Sequence, residues 1–219
     1  MKKILLAGAV ALFGLSNAQI AKGTTYLSGS VGYSQEESDN GNYKKENFNV
    51  LPTVGYFVNT NLAVGLGIGY QTEKTTETTT VTALPGVTTV SKDITKKPAF
   101  VVAPFVRKYW TLSEKLYIFG QLAVPMQFGK TEFESNSVTT SGSTTVSNST
   151  STEAKYTKIG VTVKPGLDYF LNKNWSIEAT IGEFGYSNYK PKDGDATNNY
   201  NFGLNLSSVT FGVKYVFAK

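Results

Sequence analysis

Apolar residues recur at every second position through most of this chain, a spacing that predicts β-strands with one apolar face. The clearest run is Leu62, Val64, Leu66, Ile68 and Tyr70, alternating with Ala63, Gly65, Gly67, Gly69 and Gln71. The same period predicts strands over 24–34, 48–57, 100–110, 116–128, 158–170, 175–186 and about 200–217. The last ends with Phe211, Val213, Tyr215 and Phe217 against Gly212, Lys214 and Val216. Glycines in one register of a strand leave it without packing and point to crowding or curvature on the small face.

The connections alternate in length. Segments 58–61, 111–114 and 171–174 are short and polar. The others are long, with turn residues near their midpoints: Asn40-Gly41, Pro85-Gly86, Ser141-Gly142 and Asp193-Gly194. A hairpin unit also recurs. Pro52-Thr53-Val54-Gly55-Tyr56-Phe57 resembles Pro165-Gly166-Leu167-Asp168-Tyr169-Phe170, and 104–110 follows it with one extra residue. Proline donates no N–H, so Pro52, Pro104, Pro125 and Pro165 predict bulges or missing ladder bonds. A bulge is expected near Glu183-Phe184, and a register shift near Ser207-Ser208.

Together these features predict an all-β fold. It is an eight-stranded antiparallel up-and-down transmembrane β-barrel with short periplasmic turns and long extracellular loops. A soluble barrel with its apolar faces turned inward is the alternative. Against it stand the bulky, continuous apolar face and the aromatics at strand ends. Tyr56, Tyr109, Trp110, Tyr169, Trp175, Tyr215 and Phe217, with Phe57 and Phe170, are expected to form an interface girdle.

Composition narrows the picture. Met1-Lys2-Lys3, the apolar run 4–15 and Ser16-Asn17-Ala18 read as a signal peptide over 1–18, leaving 19–219 as the barrel domain. Loss of Lys2 and Lys3 takes the net charge from +5 to +3. The remaining basic residues form no stripe, so nucleic acid is not an expected partner. No later segment approaches the roughly 18 apolar residues of a spanning helix, so any crossing is made by strands. The chain has no Cys and no His. The commonest metal ligand and general base are therefore missing, and neither metal nor cofactor is expected.

Four charges fall on the small face. Arg107, Asp168, Glu178 and Lys214 each lie two or three residues from a predicted periplasmic strand end, roughly 7–10 Å along the strand. Two are positive and two negative. They predict one ionic layer that shuts a lumen just wide enough for side chains. Four independently wetted charges are the alternative. Lys158 and Lys164 are further lumenal charges. Asp168 and Glu178 also suggest an acid–base pair, but ion pairing is the expected role because structural networks perturb carboxylates too. Outside the membrane, Thr- and Val-rich segments 72–96 and 130–156 favour strands that continue into a protruding sheet. For 135–152 a solvated Ser/Thr-rich loop is the competing expectation.

The Pro-x-Val-x-Tyr-Phe unit at 52–57, the strand 62–70 and the closing 211–217 resemble the small outer-membrane β-barrel proteins of the porin family, related to the OmpA and OmpX barrels. The signal segment followed by Gln19 resembles those of Bacteroidetes. This resemblance covers nearly all of 19–219. It implies a Gram-negative outer membrane, a periplasmic N-terminus and assembly through the last strand. The implied partners are outer-membrane lipid and, during biogenesis, periplasmic chaperones and the barrel-assembly machinery. A monomer is expected, with an unnamed extracellular ligand for the loops. The chain departs from many such proteins in having Ala218-Lys219 after Phe217, and no peptidoglycan-binding domain is expected after the barrel. Barrel enzymes that resemble this size class use a His, so no enzyme is implied. The expected role is structural or surface-interacting, with a filled lumen. A small-solute channel is the alternative and a soluble ligand-binding barrel a distant third.

Overall fold

The computed structural model describes residues 20–203 and 209–217. The signal segment 1–18 and the register shift expected at Ser207-Ser208 lie outside the described residues. The strands are β1 (Thr25–Ser38), β2 (Tyr43–Asn59), β3 (Leu62–Leu84), β4 (Val87–Thr111), β5 (Leu116–Ala123), β6 (Met126–Ser141), β7 (Thr144–Phe170), β8 (Trp175–Ile181), β9 (Glu183–Pro191), β10 (Thr197–Gly203) and β11 (Val209–Phe217).

The described residues thus form eleven strand segments where eight strands were expected. Among the described residues two of the eight staves are split. β5 and β6 both run between β4 and β7 and are separated at Val124-Pro125. β8 and β9 both pair with β7 and are separated at Gly182. The last stave is described as β10, paired with β9, and β11, paired with β8, and 204–208 lie outside the described residues. Every pairing is antiparallel, and β1 against β11 closes the ring. Closure removes the open edges that an eleven-segment sheet would leave around its lower half.

Proline causes part of the splitting. The β2–β3 ladder skips Leu51 and Pro52. On β4, the ladder to β5 and β6 skips Ala103 and Pro104. On β7, the ladder to β8 and β9 skips Lys164 and Pro165, and the register there shifts at Gly182, which has φ +76°. On its other side each proline keeps register, Pro52 with Gly29, Pro104 with Leu66 and Pro165 with Gly120. A residue without an N–H loses its ladder bond on one side only, so these strands bend without breaking the ring.

The outward face is apolar over the lower strands. Leu66, Ile68, Val106, Trp110 and Val163 are all exposed. About 9–11 residues of tilted strand span a bilayer. β7 has 27. Its excess, with those of β3, β4 and β6, rises on the order of 50 Å along the strand above the apolar band. There the β6–β7 ladder runs unbroken from Met126↔Ile159 to Ser141↔Thr144, so 135–152 is paired sheet and the solvated-loop expectation fails. Thr and Val tolerate the pleat, and each new rung adds backbone bonds. Gly41, Gly86 and Gly142 carry φ of +88°, +80° and +59° at the hairpin tips, a region that favours a residue without Cβ. Gly194 lies in the turn after β9.

Inside the lower barrel, aromatic rings lie over glycines of the neighbouring stave. Tyr26 pairs with Gly55, Phe105 with Gly65 and Phe119 with Gly166. A Cβ on any of these glycines would run into the facing ring. The small face read from the sequence is therefore the space that rings from the next strand fill.

Candidate functional site

Strand parity sets what faces the lumen. Arg107 and Tyr109 share the inward face of β4, while Val106 and Trp110 point out. Phe57 and Phe170 alternate in the same way with outward Tyr56 and Tyr169. Tyr109, Phe57 and Phe170 therefore do not belong to the interface girdle. Tyr109 is 1% exposed and stacks 5.5 Å from Phe57 and 5.7 Å from Phe119. Tyr26 joins Phe57 at 5.7 Å, and Tyr117 joins Phe170 at 5.4 Å. The outward girdle consists of Tyr56, Trp110, Tyr169, Trp175 and Phe217, all exposed, with Tyr215 between Trp175 and Phe217 at 4.9 and 5.0 Å.

Ile20 and Val216 pack into the same aromatic cluster. The Ile20 N–H donates to Asn61 Oδ1 at 2.8 Å, and the Asn61 N–H donates back to the Ile20 carbonyl at 3.1 Å. Asn61 sits at φ +57° in the β2–β3 turn, a conformation that Asn accepts better than most residues. The periplasmic end is thereby floored with side chains.

Against this aromatic layer lies the ionic one. The structure brings Arg107, Asp168, Glu178 and Lys214 together from four staves. All four are buried, Asp168 and Lys214 completely. Asp168 and Glu178 are direct cross-strand partners, a like-charge pairing that is unfavourable alone. Lys214 resolves it, because its ammonium contacts Asp168 and lies 3.4 Å from Glu178 Oε1. Arg107 Nη1 reaches the same Glu178 oxygen at 2.5 Å and donates to Tyr109 Oη at 3.0 Å. Its Nε donates to Gln121 Oε1 at 2.8 Å. The guanidinium also lies 4.3 Å from the Phe119 ring centre, and Lys214 Nζ lies 4.9 Å from both Tyr109 and Phe170. Buried charges persist only when paired and hydrogen-bonded, and here each cation also gains ring faces. Gln121 and the inward aromatics are the members of this site that sequence reading missed. Parity with Arg107 was the available signal for Tyr109.

On the other side of the ionic layer the lumen widens into a cavity of about 510 Å³. Arg107 and Glu178 line its floor, and Gln71, Gln127, Lys158 and Lys164 its walls. Lys164 pairs with Glu183 at 2.6 Å. No cluster of His, Cys, Asp and Glu able to hold a metal occurs among the described residues.

A closed antiparallel ring with an apolar outside and ions inside inverts the order of a water-soluble barrel, and defines an integral membrane β-barrel. The model of the outer membrane protein beta-barrel domain matches residues 5–217, so the chain belongs to that family and, with it, to the outer membrane. Among solved structures, the N-terminal β-barrel domain of Pseudomonas aeruginosa OprF is similar over 90% of this chain and 100% of its own, at 8% identity and TM-score 0.41. Ail of Yersinia pestis, the attachment invasion locus protein, is similar over 90% and 99%, at 17% identity and TM-score 0.33. The translocator domain of the autotransporter NalP from Neisseria meningitidis covers 98% of this chain and 94% of its own, at 12% identity and TM-score 0.24. No curated protein matches the chain.

Proposed function

We propose that this protein is a non-conducting outer-membrane barrel that acts at the cell surface through the sheet it raises above the membrane. The observation that carries the reading is the buried layer of Arg107, Glu178, Lys214 and Asp168 stacked on the aromatic floor. An eight-stave barrel is narrow enough for such a layer to occupy its cross-section. With the lumen filled, the parts left to meet other molecules are the extracellular hairpins. The absence of His and Cys fits a role without catalysis. Export through a cleaved 1–18 segment, assembly by periplasmic chaperones and the barrel-assembly machinery, and a monomer within its own membrane complete the proposal.

Planar-bilayer recording of the purified barrel tests it. The wild type is expected to stay silent, and Arg107→Ala with Lys214→Ala is expected to open a small ionic conductance. Steady wild-type conductance would favour a small-solute channel instead.

A further inference from the structure

Above the apolar band, the raised sheet keeps one long free edge. β9 pairs with β7 only from Tyr156↔Pro191 downward, and the Lys192 N–H donates to the Lys155 carbonyl just above that rung. From Thr144 to Ala154, β7 pairs with β6 on one side and with no strand on the other among the described residues. All of these residues are exposed. Natural edge strands are blunted by charge, Pro, Gly-based bulges or brevity. On β1, the stretch beyond the Ser30↔Gly212 rung pairs only with β2 among the described residues, and it carries Glu36 and Glu37. Residues 144–152 of β7 read Thr-Thr-Val-Ser-Asn-Ser-Thr-Ser-Thr, with no charge, Pro or Gly.

We propose that this edge pairs with the same edge of a second copy of this protein carried by an opposing membrane. The proposal rests on the surface-interaction reading above. Antiparallel pairing about Asn148 sets Thr144 against Thr152, Thr145 against Ser151, Val146 against Thr150 and Ser147 against Ser149. Hydroxyl residues opposite one another are favourable cross-strand pairs. Asn148 meets its own copy, and a carboxamide both donates and accepts. Glu153 falls beyond the paired stretch, opposite Ser143. The neutral window thus ends where self-pairing would begin to place charge on the ladder. Sidedness follows from direction. β7 descends from tip to membrane, so antiparallel partners must approach tip first, from facing surfaces, and the contact closes as a two-fold dimer. A partner of different sequence would instead be selected by side-chain features, and beyond Val146 the 144–152 edge offers only small polar groups.

The test uses full-length protein in two differently labelled liposome populations. Wild-type vesicles are expected to tether to each other. Ser147→Lys with Ser149→Lys is expected to abolish tethering among its own vesicles, as is Ser147→Asp with Ser149→Asp. Mixing the lysine and aspartate populations is expected to restore it, which also shows that both hairpins fold. The chain has no native Cys. Under copper-phenanthroline oxidation Asn148→Cys should therefore give a disulfide dimer across the two-fold, and Thr144→Cys should give severalfold less. Absence of wild-type tethering, or tethering indifferent to the charge variants, overturns the proposal, and so does a dimer yield equal at 144 and 148. Bilayer silence of the same preparation is read separately, so failure of this contact and failure of the closed-lumen reading are distinguishable.

Discussion

The raised sheet continues β3, β4, β6 and β7 out of the eight-stave lower barrel, yet the two regions are held in opposite ways. β4 carries Phe105, Arg107 and Tyr109 into a closed interior, where each is nearly or wholly buried. About sixteen residues earlier the same strand carries Thr89, Ser91 and Asp93, which are only half-buried and lie between β3 and β6. Below, side-chain packing and ion pairing across the lumen add to the ladder. Above, the ladder itself does most of the work, helped by partly exposed pairs such as Lys96 with Glu134 at 3.4 Å. Cooperative stability should therefore reside in the lower half and local opening in the upper.

The largest expected effect comes from breaking the lower ionic layer. Lys214→Met leaves Asp168 buried without a cation and should cost about 3–5 kcal/mol. Urea unfolding followed by the heat-modifiable gel shift would measure it. The double change Lys214→Met with Asp168→Leu should recover most of that loss. An unaffected single variant would mean that the layer is wetted and the contrast with the sheet is false.

Next come the glycines. Gly65→Val and Gly166→Val drive a branched side chain into the Phe105 and Phe119 rings, and each is expected to lose about 1–3 kcal/mol. Gly86 has open space around it, so Gly86→Ala should cost only the strain of its positive φ, on the order of 1 kcal/mol, confined to the hairpin tip. Hydrogen exchange would separate a global loss from a local one.

Replacing 136–149 with an Asn-Gly turn removes the top of the β6–β7 hairpin. It should leave the unfolding midpoint of the lower barrel within about 0.5 kcal/mol of wild type. A large loss would show that the sheet supports the barrel.

The smallest effect is a pH response limited to the sheet. Hydrogen bonds from Lys130 hold the Glu132 carboxyl below its ordinary value of 4.5, and hydrogen bonds to Glu132 and Glu153 hold Lys130 above 10.5. Glu132 contributes stability that is present above its ordinary value and lost as pH falls below it. The Lys130 contribution is present below 10.5 and lost as pH rises beyond its raised value. Between those limits amide exchange at the base of the β6–β7 hairpin should be slowest, quickening on acidification below about pH 4.5 while the floor around Phe57 and Phe119 stays protected. Because these groups are exposed, added salt should shrink the effect.

Much of this was legible in the chain. The outward faces of β3, β4 and β7 follow from alternation alone, because a strand must send successive side chains to opposite sides. The four prolines announced ladder gaps, and counting from strand ends singled out Arg107, Asp168, Glu178 and Lys214. The inner aromatics were not legible by composition. Tyr56-Phe57, Tyr109-Trp110 and Tyr169-Phe170 are adjacent pairs of similar residues, and in each pair one ring faces lipid and the other the lumen. Only parity with a fixed inward neighbour separates them. The paired state of 135–152 was open for a different reason. A Ser/Thr-rich run suits both solvent and strand, and the choice depends on having β4 beside it.

The amino-acid order by itself determined the period of two, the place of the turns and the identity of each face, since these depend on residues a few positions apart. The tertiary structure decided which faces meet. Arg107 finds Glu178 71 residues away, and Lys214 finds Tyr109 105 residues away. Those meetings are set by cross-strand register and by closure of the ring, which accumulate over every stave and are written in no local segment. The same register leaves Thr144–Ala154 with β6 on one side and, among the described residues, no strand on the other, so it is the global arrangement that turns a polar run into an edge able to pair.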